Sequence, residues 1–285
     1  MHITIETLPI GDALIRTMRV EPDDAPKGVV QFVHGFGEHI AMYEALGGFF
    51  ADHGYAFVIH DQRGHGEMPE LTSAQRAKAL GIVPSYVYFL TDITALREKI
   101  DQWYPGVPVI LGGLSMGGNI VANYIERFLH PRFDKAIIES PWLRLAKPMP
   151  DIVTKLARQI GHFTPKAAIQ AGLDLDAITR DPQETEKMKT DPFYHGRISF
   201  KLYSQILDAG EYAISHAADI RLPTLLMTGT GDRIVSVDAI RELAANAGPN
   251  VTLIQYEGAF HALHQETNRA DVMDAMLAFC DLPVR

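Results

Sequence analysis

"VPVILGGLSMGGNIVANYIERF", residues 107–128, passes from an apolar run through a glycine-flanked serine into a segment with helical spacing. The run "VPVILGG" (107–113), rich in Val, Ile and Leu and bounded by turn residues, predicts a strand covered on both faces. "GNIVANYIERFL" (118–129) predicts a helix. Glycine at 113 and 117 lets the strand and the helix pass close together without Cβ clashes, with Ser115 at the bend. Such a turn reads in two ways. It is a tight connection with an incidental serine, or it is a bend that strips the surroundings of one hydroxyl so that it stands free to react.

The rest of the chain repeats this grammar. "GVVQFVHG" (28–35), "YAFVIHD" (55–61), "KAIIES" (135–140), "TLLMTG" (224–229) and "VTLIQYE" (251–257) are further short apolar runs. In "SYVYFLTDITALREKIDQWY" (85–104), Val87, Leu90, Ile93, Leu96 and Ile100 mark one helical face. Strand and helix alternate, which predicts an α/β class with a mostly parallel central sheet and helices on both faces. The first twenty residues read as a hairpin at one edge. From 141 to 210 the rhythm breaks: no strong strand run appears, and "DIVTKLARQI" (151–160) carries Ile152, Leu156 and Ile160 on one stripe, with Asp151 placed to cap it. This predicts a helical insertion, residues 141–210, within a core made of 1–140 and 211–285.

Composition sets bounds. Of 285 residues, 47% are hydrophobic and 21% charged, a soluble globular balance, and the formal charge of −9 argues against nucleic acid as a partner. No apolar run approaches the length of a transmembrane segment. "MHITIETLPIGD" has no basic region followed by an apolar core, so no secretory leader is expected. The single cysteine, Cys280, sits in "MLAFCDL", a helix face packed into the core, and a reducing cytoplasm is the expected compartment.

A serine hydroxyl needs a base, and the base needs an orienting acid. Asp232 follows the strand "TLLMTG" by three residues, and His261 follows "VTLIQYE" by four. In an open parallel sheet, functional groups gather beyond the carboxyl ends of strands, where Ser115, Asp232 and His261 all fall. His264 and Asp238 are the competing histidine and acid, each better placed for the following helix. Two backbone N–H groups are also required to face a developing oxyanion. Met116, after the serine, and Phe36, between glycines in "HGFGEH" (34–39), are the candidates. "HDQRGHGE" (60–67) offers His60, Asp61, His65 and Glu67 to a metal, but in no spacing of a metal-hydrolase motif. A turn beside the site, with Arg63 tying loops together and His60 bonded to backbone, is the preferred reading.

Four blocks, "HGFGEH", "DQRGHG", "GLSMGG" and "TGTGDRIVS…YEGAFHALHQE", together resemble the monoacylglycerol lipase and lysophospholipase group of serine α/β-hydrolases, in the serine aminopeptidase S33 family. They follow the family's order across residues 29–281, and "DPFYHG" (191–196) resembles its stretch near the end of the cap. The resemblance implies an α/β-hydrolase fold with Ser115 as nucleophile, Asp232 and His261 as its partners, and the Phe36 and Met116 amides as oxyanion hole. It implies no cofactor or metal, and a small acyl ester as substrate. It also implies a cap that covers the acyl tunnel and makes transient contact with lipid surfaces. Trp142, Leu143, Leu145 and Met149 in "PWLRLAKPMP" (141–150) are candidates for an apolar acyl wall. The expected activity is a serine esterase acting on monoacylglycerol or lysophospholipid-type esters. An aminopeptidase of the same family, with Asp174 or Glu184 holding a substrate's amino terminus, is the rival. A non-catalytic ligand receptor on this fold is the alternative from another class.

Overall fold

A computed structural model describes residues 1–128 and 130–283. The chain opens with a hairpin, β1 (His2–Ile10) and β2 (Ala13–Glu21). It then alternates through β3 (Gly28–Val33), α1 (Glu44–Asp52), β4 (Tyr55–His60), α2 (Ser73–Ala79), α3 (Val87–Trp103), β5 (Val109–Leu114), α4 (Met116–Arg127) and β6 (Lys135–Glu139). The insertion contains α5 (Asp151–Phe163), β7 (Ala168–Gln170), α6 (Pro182–Thr190) and β8 (Arg197–Ser199), and leads into α7 (Phe200–His216). Then β9 (Thr224–Gly229), α8 (Val237–Asn246), β10 (Val251–Tyr256) and α9 (Arg269–Asp281) complete the chain.

Eight strands form one sheet in the order β1-β2-β4-β3-β5-β6-β9-β10. The hairpin is antiparallel and so is the β2–β4 pair; from β4 onward every pair is parallel. All six expected strands are present, with the hairpin at one edge. β3, β4, β5, β6 and β9 are buried along their whole length, because both faces are covered. Phe32, Phe57 and Ile110 pack with Phe50 of α1 and Met276 of α9. Val29, Leu111 and Ile138 pack with Ile93 of α3, Ile120 of α4 and Ile240 of α8. On α3 the expected face is buried except at Val87, which is exposed at the helix start, while Phe89 turns inward.

The sheet decides where a site forms. After β3 the chain turns to β4 on one side, yet β5 pairs with β3 on the other. Loops leaving β3 and β5 therefore diverge at a topological switch point, where open parallel sheets place their sites. Val33 pairs with Gly113 at the carboxyl ends of these strands, so the loop carrying Phe36 and the turn carrying Ser115 start side by side.

The insertion departs from expectation in three ways. β7 and β8 form a three-residue antiparallel ladder, too short to register as an apolar run. α5 lies against α7 through small residues: Ala157 is buried, and a Cβ at Gly161 would meet Lys201 N at 2.7 Å. The stripe of Ile152 and Leu156 consequently faces solvent, at 73% and 54% exposure, because close helix approach needs the small-residue face. Asp151 is the first residue of the helix, and its side chain lies outside the described residues. Residue 210, where the insertion was expected to end, lies inside α7, which packs on α4 as well as on α5.

Arg63 ties three elements together. Its Nε and Nη2 donate to Asp92 of α3 at 2.7 Å each, and Nη2 reaches Asp12 of the hairpin turn at 2.6 Å. Asp92 is fully buried, so Asp92→Asn should lower stability by about 2–4 kcal/mol in urea unfolding, since one partner of a largely buried pair is left unbalanced. A Cβ at Gly117 would lie 2.0 Å from the Val33 carbonyl oxygen. Gly117→Ala should therefore cost about 3 kcal/mol or more by the same measurement; an unchanged midpoint would show that α4 can slide away from β3.

Candidate active site

β5 runs straight into α4 through a single residue, Ser115, whose φ of 57° and ψ of −115° lie outside the regions ordinary side chains adopt. The conformation is held from several sides. Ser115 N donates to Glu139 O at 2.9 Å, and Ser115 O accepts from Trp142 N at 2.9 Å and from Asn119 N at 2.9 Å. A Cβ at Gly113 would meet Gly117 C at 2.7 Å, so only glycine lets α4 fold back this closely. A Cβ at Gly35 would lie 3.5 Å from Ser115 Cβ, which places the loop after β3 against the turn.

β9 ends at Gly229 and β10 at Tyr256, and the loops beyond them carry Asp232 and His261. His261 Nδ1 and Asp232 Oδ2 are 2.7 Å apart, with both side chains buried. Asp232 Oδ1 accepts from the N–H groups of Ile234 and Val235 at 2.8 and 3.0 Å, which fixes the carboxylate. Burial pulls the imidazolium form of His261 down, but the charge and hydrogen bond of Asp232, backed by Glu38 and Glu139, hold it above the ordinary histidine value. With Nδ1 facing the acid, Nε2 is the ring's free nitrogen. Neither Ser115 Oγ nor His261 Nε2 makes a hydrogen bond among the described residues, and neither is sealed from solvent.

The competing residues are occupied elsewhere. Asp238 stands exposed in the first turn of α8 and pairs with Arg241 at 3.0 Å. His264 turns into the core, where Glu139 takes its Nδ1 at 2.9 and 3.0 Å. Among the described residues, the Phe36 and Met116 N–H groups donate to no protein acceptor, because one lies in a turn and the other in the first turn of a helix. Phe36 is packed edge-on against His65 and His195.

The four apolar residues of 141–149 separate. Trp142 lies 6.1 Å from the Phe36 ring and 6.3 Å from Tyr203, beside the Ser115 turn. Leu143 is fully buried in the core, Leu145 is half-buried and bridged to Val235, and Met149 is exposed. Among the described residues no group of three His, Cys, Asp or Glu side chains has metal-binding geometry. In the "HDQRGHGE" turn, Asp61 accepts from Ile40 N at 2.9 Å, and burial pushes its carboxyl up to about 6. His60 Nδ1, expected to find a backbone partner, is buried without one. Burial raises the Cys280 thiol to about 12. No described helix is long and apolar enough to cross a membrane.

Sequence reasoning passed over the groups that hold the histidine loop. Glu266, fully buried, accepts from Phe260 N at 2.8 Å and binds Arg180 through Nε at 2.8 Å. His261 N and Ala262 N donate to Ile178 O at 3.0 and 2.9 Å, so the insertion backs the loop directly. A glutamate closing an otherwise apolar strand run, Glu139 in "KAIIES", was the one visible signal.

Comparison with known proteins agrees with this architecture. The family profile described as serine aminopeptidase, S33, matches residues 24–268. A monoacylglycerol lipase of Mycolicibacterium smegmatis is 28% identical over 89% of this chain and 88% of its own. A Bacillus subtilis phospholipase is 26% identical over 90% of this chain and 96% of its own. The crystal structure of Paleococcus ferrophilus monoacylglycerol lipase superposes with a TM-score of 0.82 at 26% identity, covering 93% of this chain and 97% of that one. On the profile match and the superposition, the chain belongs to the serine aminopeptidase S33 family and has the α/β-hydrolase fold.

Proposed function

We propose that this chain is a serine carboxylic-ester hydrolase in which Ser115 is the nucleophile, His261 the general base and Asp232 the acid that orients it. The observation that carries the reading is the buried 2.7 Å pair of His261 Nδ1 with Asp232, on the same sheet rim as a serine held at positive φ. In this reaction His261 Nε2 takes the hydroxyl proton as Ser115 Oγ attacks the ester carbonyl carbon. That transfer needs Oγ within about 3 Å of Nε2, a contact made when substrate occupies the site. Asp232 keeps the proton of the neutral ring on Nδ1 and stabilises the imidazolium that forms. The N–H groups of Phe36 and Met116 receive the oxyanion, each worth about 3 kcal/mol in the transition state. The imidazolium then protonates the leaving alcohol, and water repeats the cycle on the acyl-enzyme to release the acid.

The substrate class proposed is a glycerol or glycerophospholipid monoester of an acyl chain. Similarity to a monoacylglycerol lipase and to a phospholipase over nearly whole chains supports an acyl-lipid ester. Phe36, Trp142 and Tyr203 offer an apolar wall beside Ser115. The segment 141–210 acts as cap, and the outward stripe of α5, with Phe163 at 80% exposure, suits transient contact with a lipid surface. Acid groups proposed to hold an amino terminus are engaged otherwise: Asp174 caps its own turn and Glu184 pairs with Lys187. This favours ester over aminopeptidase chemistry, so a monoacylglycerol should be turned over and an aminoacyl-naphthylamide left untouched.

Ser115→Ala should abolish hydrolysis of a short p-nitrophenyl ester and labelling by a fluorophosphonate, with the fold retained by circular dichroism. Asp232→Asn should lower kcat on the order of 10⁴-fold. Wild-type rates in either would remove the mechanism. Because His261 is held above its ordinary value of 6.5, the base is protonated until the pH rises past that value. The acid limb of kcat/KM should accordingly have its midpoint above pH 6.5 and move downward in Asp232→Asn; a wild-type midpoint below 6 would contradict the assignment of His261 as base.

A further inference from the structure

Three residues beyond His261, a second acid–imidazole pair lies beneath the site. Glu139, fully buried at the end of β6, accepts from both the backbone N–H of His264 and its Nδ1 at 3.0 Å through Oε1, with Oε2 2.9 Å from the same Nδ1. The main-chain carbonyl of the same residue accepts from Ser115 N at 2.9 Å. Tyr43 stacks on the His264 ring at 5.2 Å and donates through its hydroxyl to Glu38 at 2.5 Å. Glu38 in turn accepts from Gly35 N at 2.6 Å, in the loop that carries Phe36. Two hydrogen-bonded groups, joined by the Tyr43–His264 stack, thus touch the serine turn, the histidine loop and the oxyanion loop. His264 Nε2 is sealed from solvent without a partner, so this ring cannot meet substrate itself.

We propose that Glu139 is a positioning residue for the reaction: paired with His264, it pins the loop that carries His261 to the strand end behind Ser115 and sets a negative charge beneath the base. The inference rests on Ser115, His261 and Asp232 acting as assigned above. The charges of Asp232, Glu38 and Glu139 act on His261, and those of Glu139, Glu38 and Glu184 on His264. Burial disfavours the charged form of both rings, and these carboxylates more than offset it. Glu139 is the group shared by both rings, so removing its charge withdraws one of the carboxylates that favour protonated His261.

The test measures kcat, KM and the pH dependence of kcat/KM with p-nitrophenyl butyrate for Glu139→Gln and His264→Asn, with melting temperatures alongside. Glu139→Gln keeps an acceptor for His264 N–H but removes the charge. Its acid limb should move to lower pH by about half a unit or more, and kcat should fall about tenfold with KM unchanged. His264→Asn keeps a donor toward Glu139 and leaves the carboxylate in place, so its acid limb should not move to lower pH. A role in packing alone leaves the Glu139→Gln limb where it is. An unmoved limb in Glu139→Gln, or a His264→Asn limb that moves down by as much, would overturn the proposal whatever the melting temperatures, and if one variant fails to fold the other decides. Ser115→Ala measured in parallel separates the two readings. An active Ser115→Ala protein removes the triad and this proposal together, whereas an inactive one together with an unmoved Glu139→Gln limb removes this proposal alone.

Discussion

At Gly117 the first turn of α4 passes so close to the end of β3 that a single methyl group would meet the Val33 carbonyl oxygen at 2.0 Å. That approach folds the chain back sharply after β5 and forces Ser115 to the one backbone conformation that closes the turn. It also brings the loop after β3 against the serine, since Gly35 and Ser115 are in near contact. Widen the gap and the serine, its neighbouring amide and the Phe36 amide lose their common reference. Side-chain volume, removed at two glycines, is thus the primary constraint on the site.

Around this turn, buried charge does the positioning. Asp232, Glu139, Glu38 and Glu266 are among the acids buried at the rim. Each accepts from a backbone N–H of a functional loop or its neighbour, so each fixes main chain as well as side chain. Buried carboxylates are expensive unless bonded in this way, and here their partners are two histidines, a tyrosine, an arginine and amide groups. The arrangement explains why two histidines three residues apart behave differently. His261 keeps Nε2 unbonded and not sealed from solvent, while His264 is buried by Tyr43 and Phe32 and bound by Glu139.

The insertion follows another logic. It docks on the core through α7, which packs on α4, and through the Ile178 carbonyl that receives the histidine loop. It reaches the loop after β3 as well, where His39 bonds Asp191 at 2.8 Å and His195 N donates to Gly37 O. α5 packs by its small residues and turns its large apolar ones outward. A periodic stripe reports that a helix has an apolar face, but not what that face meets. The pattern of Ile152, Leu156 and Ile160 was therefore readable as amphipathic, and its direction was not.

The sequence by itself determined the six core strands, the edge hairpin and the glycine-framed serine, because strands covered on both faces and tight turns leave local signatures that neighbours cannot erase. It also brought Asp232 and His261 to strand ends on one rim, since a parallel sheet sends every such end to the same side. Only the tertiary structure separated Asp238 from Asp232 and His264 from His261. That separation depends on which side chain faces which element across the fold, and spacing along the chain does not encode it. Glu139 and Glu266 belong to the same class: their value lies in partners 125 and 86 residues away. The two strands within the insertion and the outward face of α5 are likewise set by packing between distant segments, where a three-residue ladder or a single glycine decides the contact.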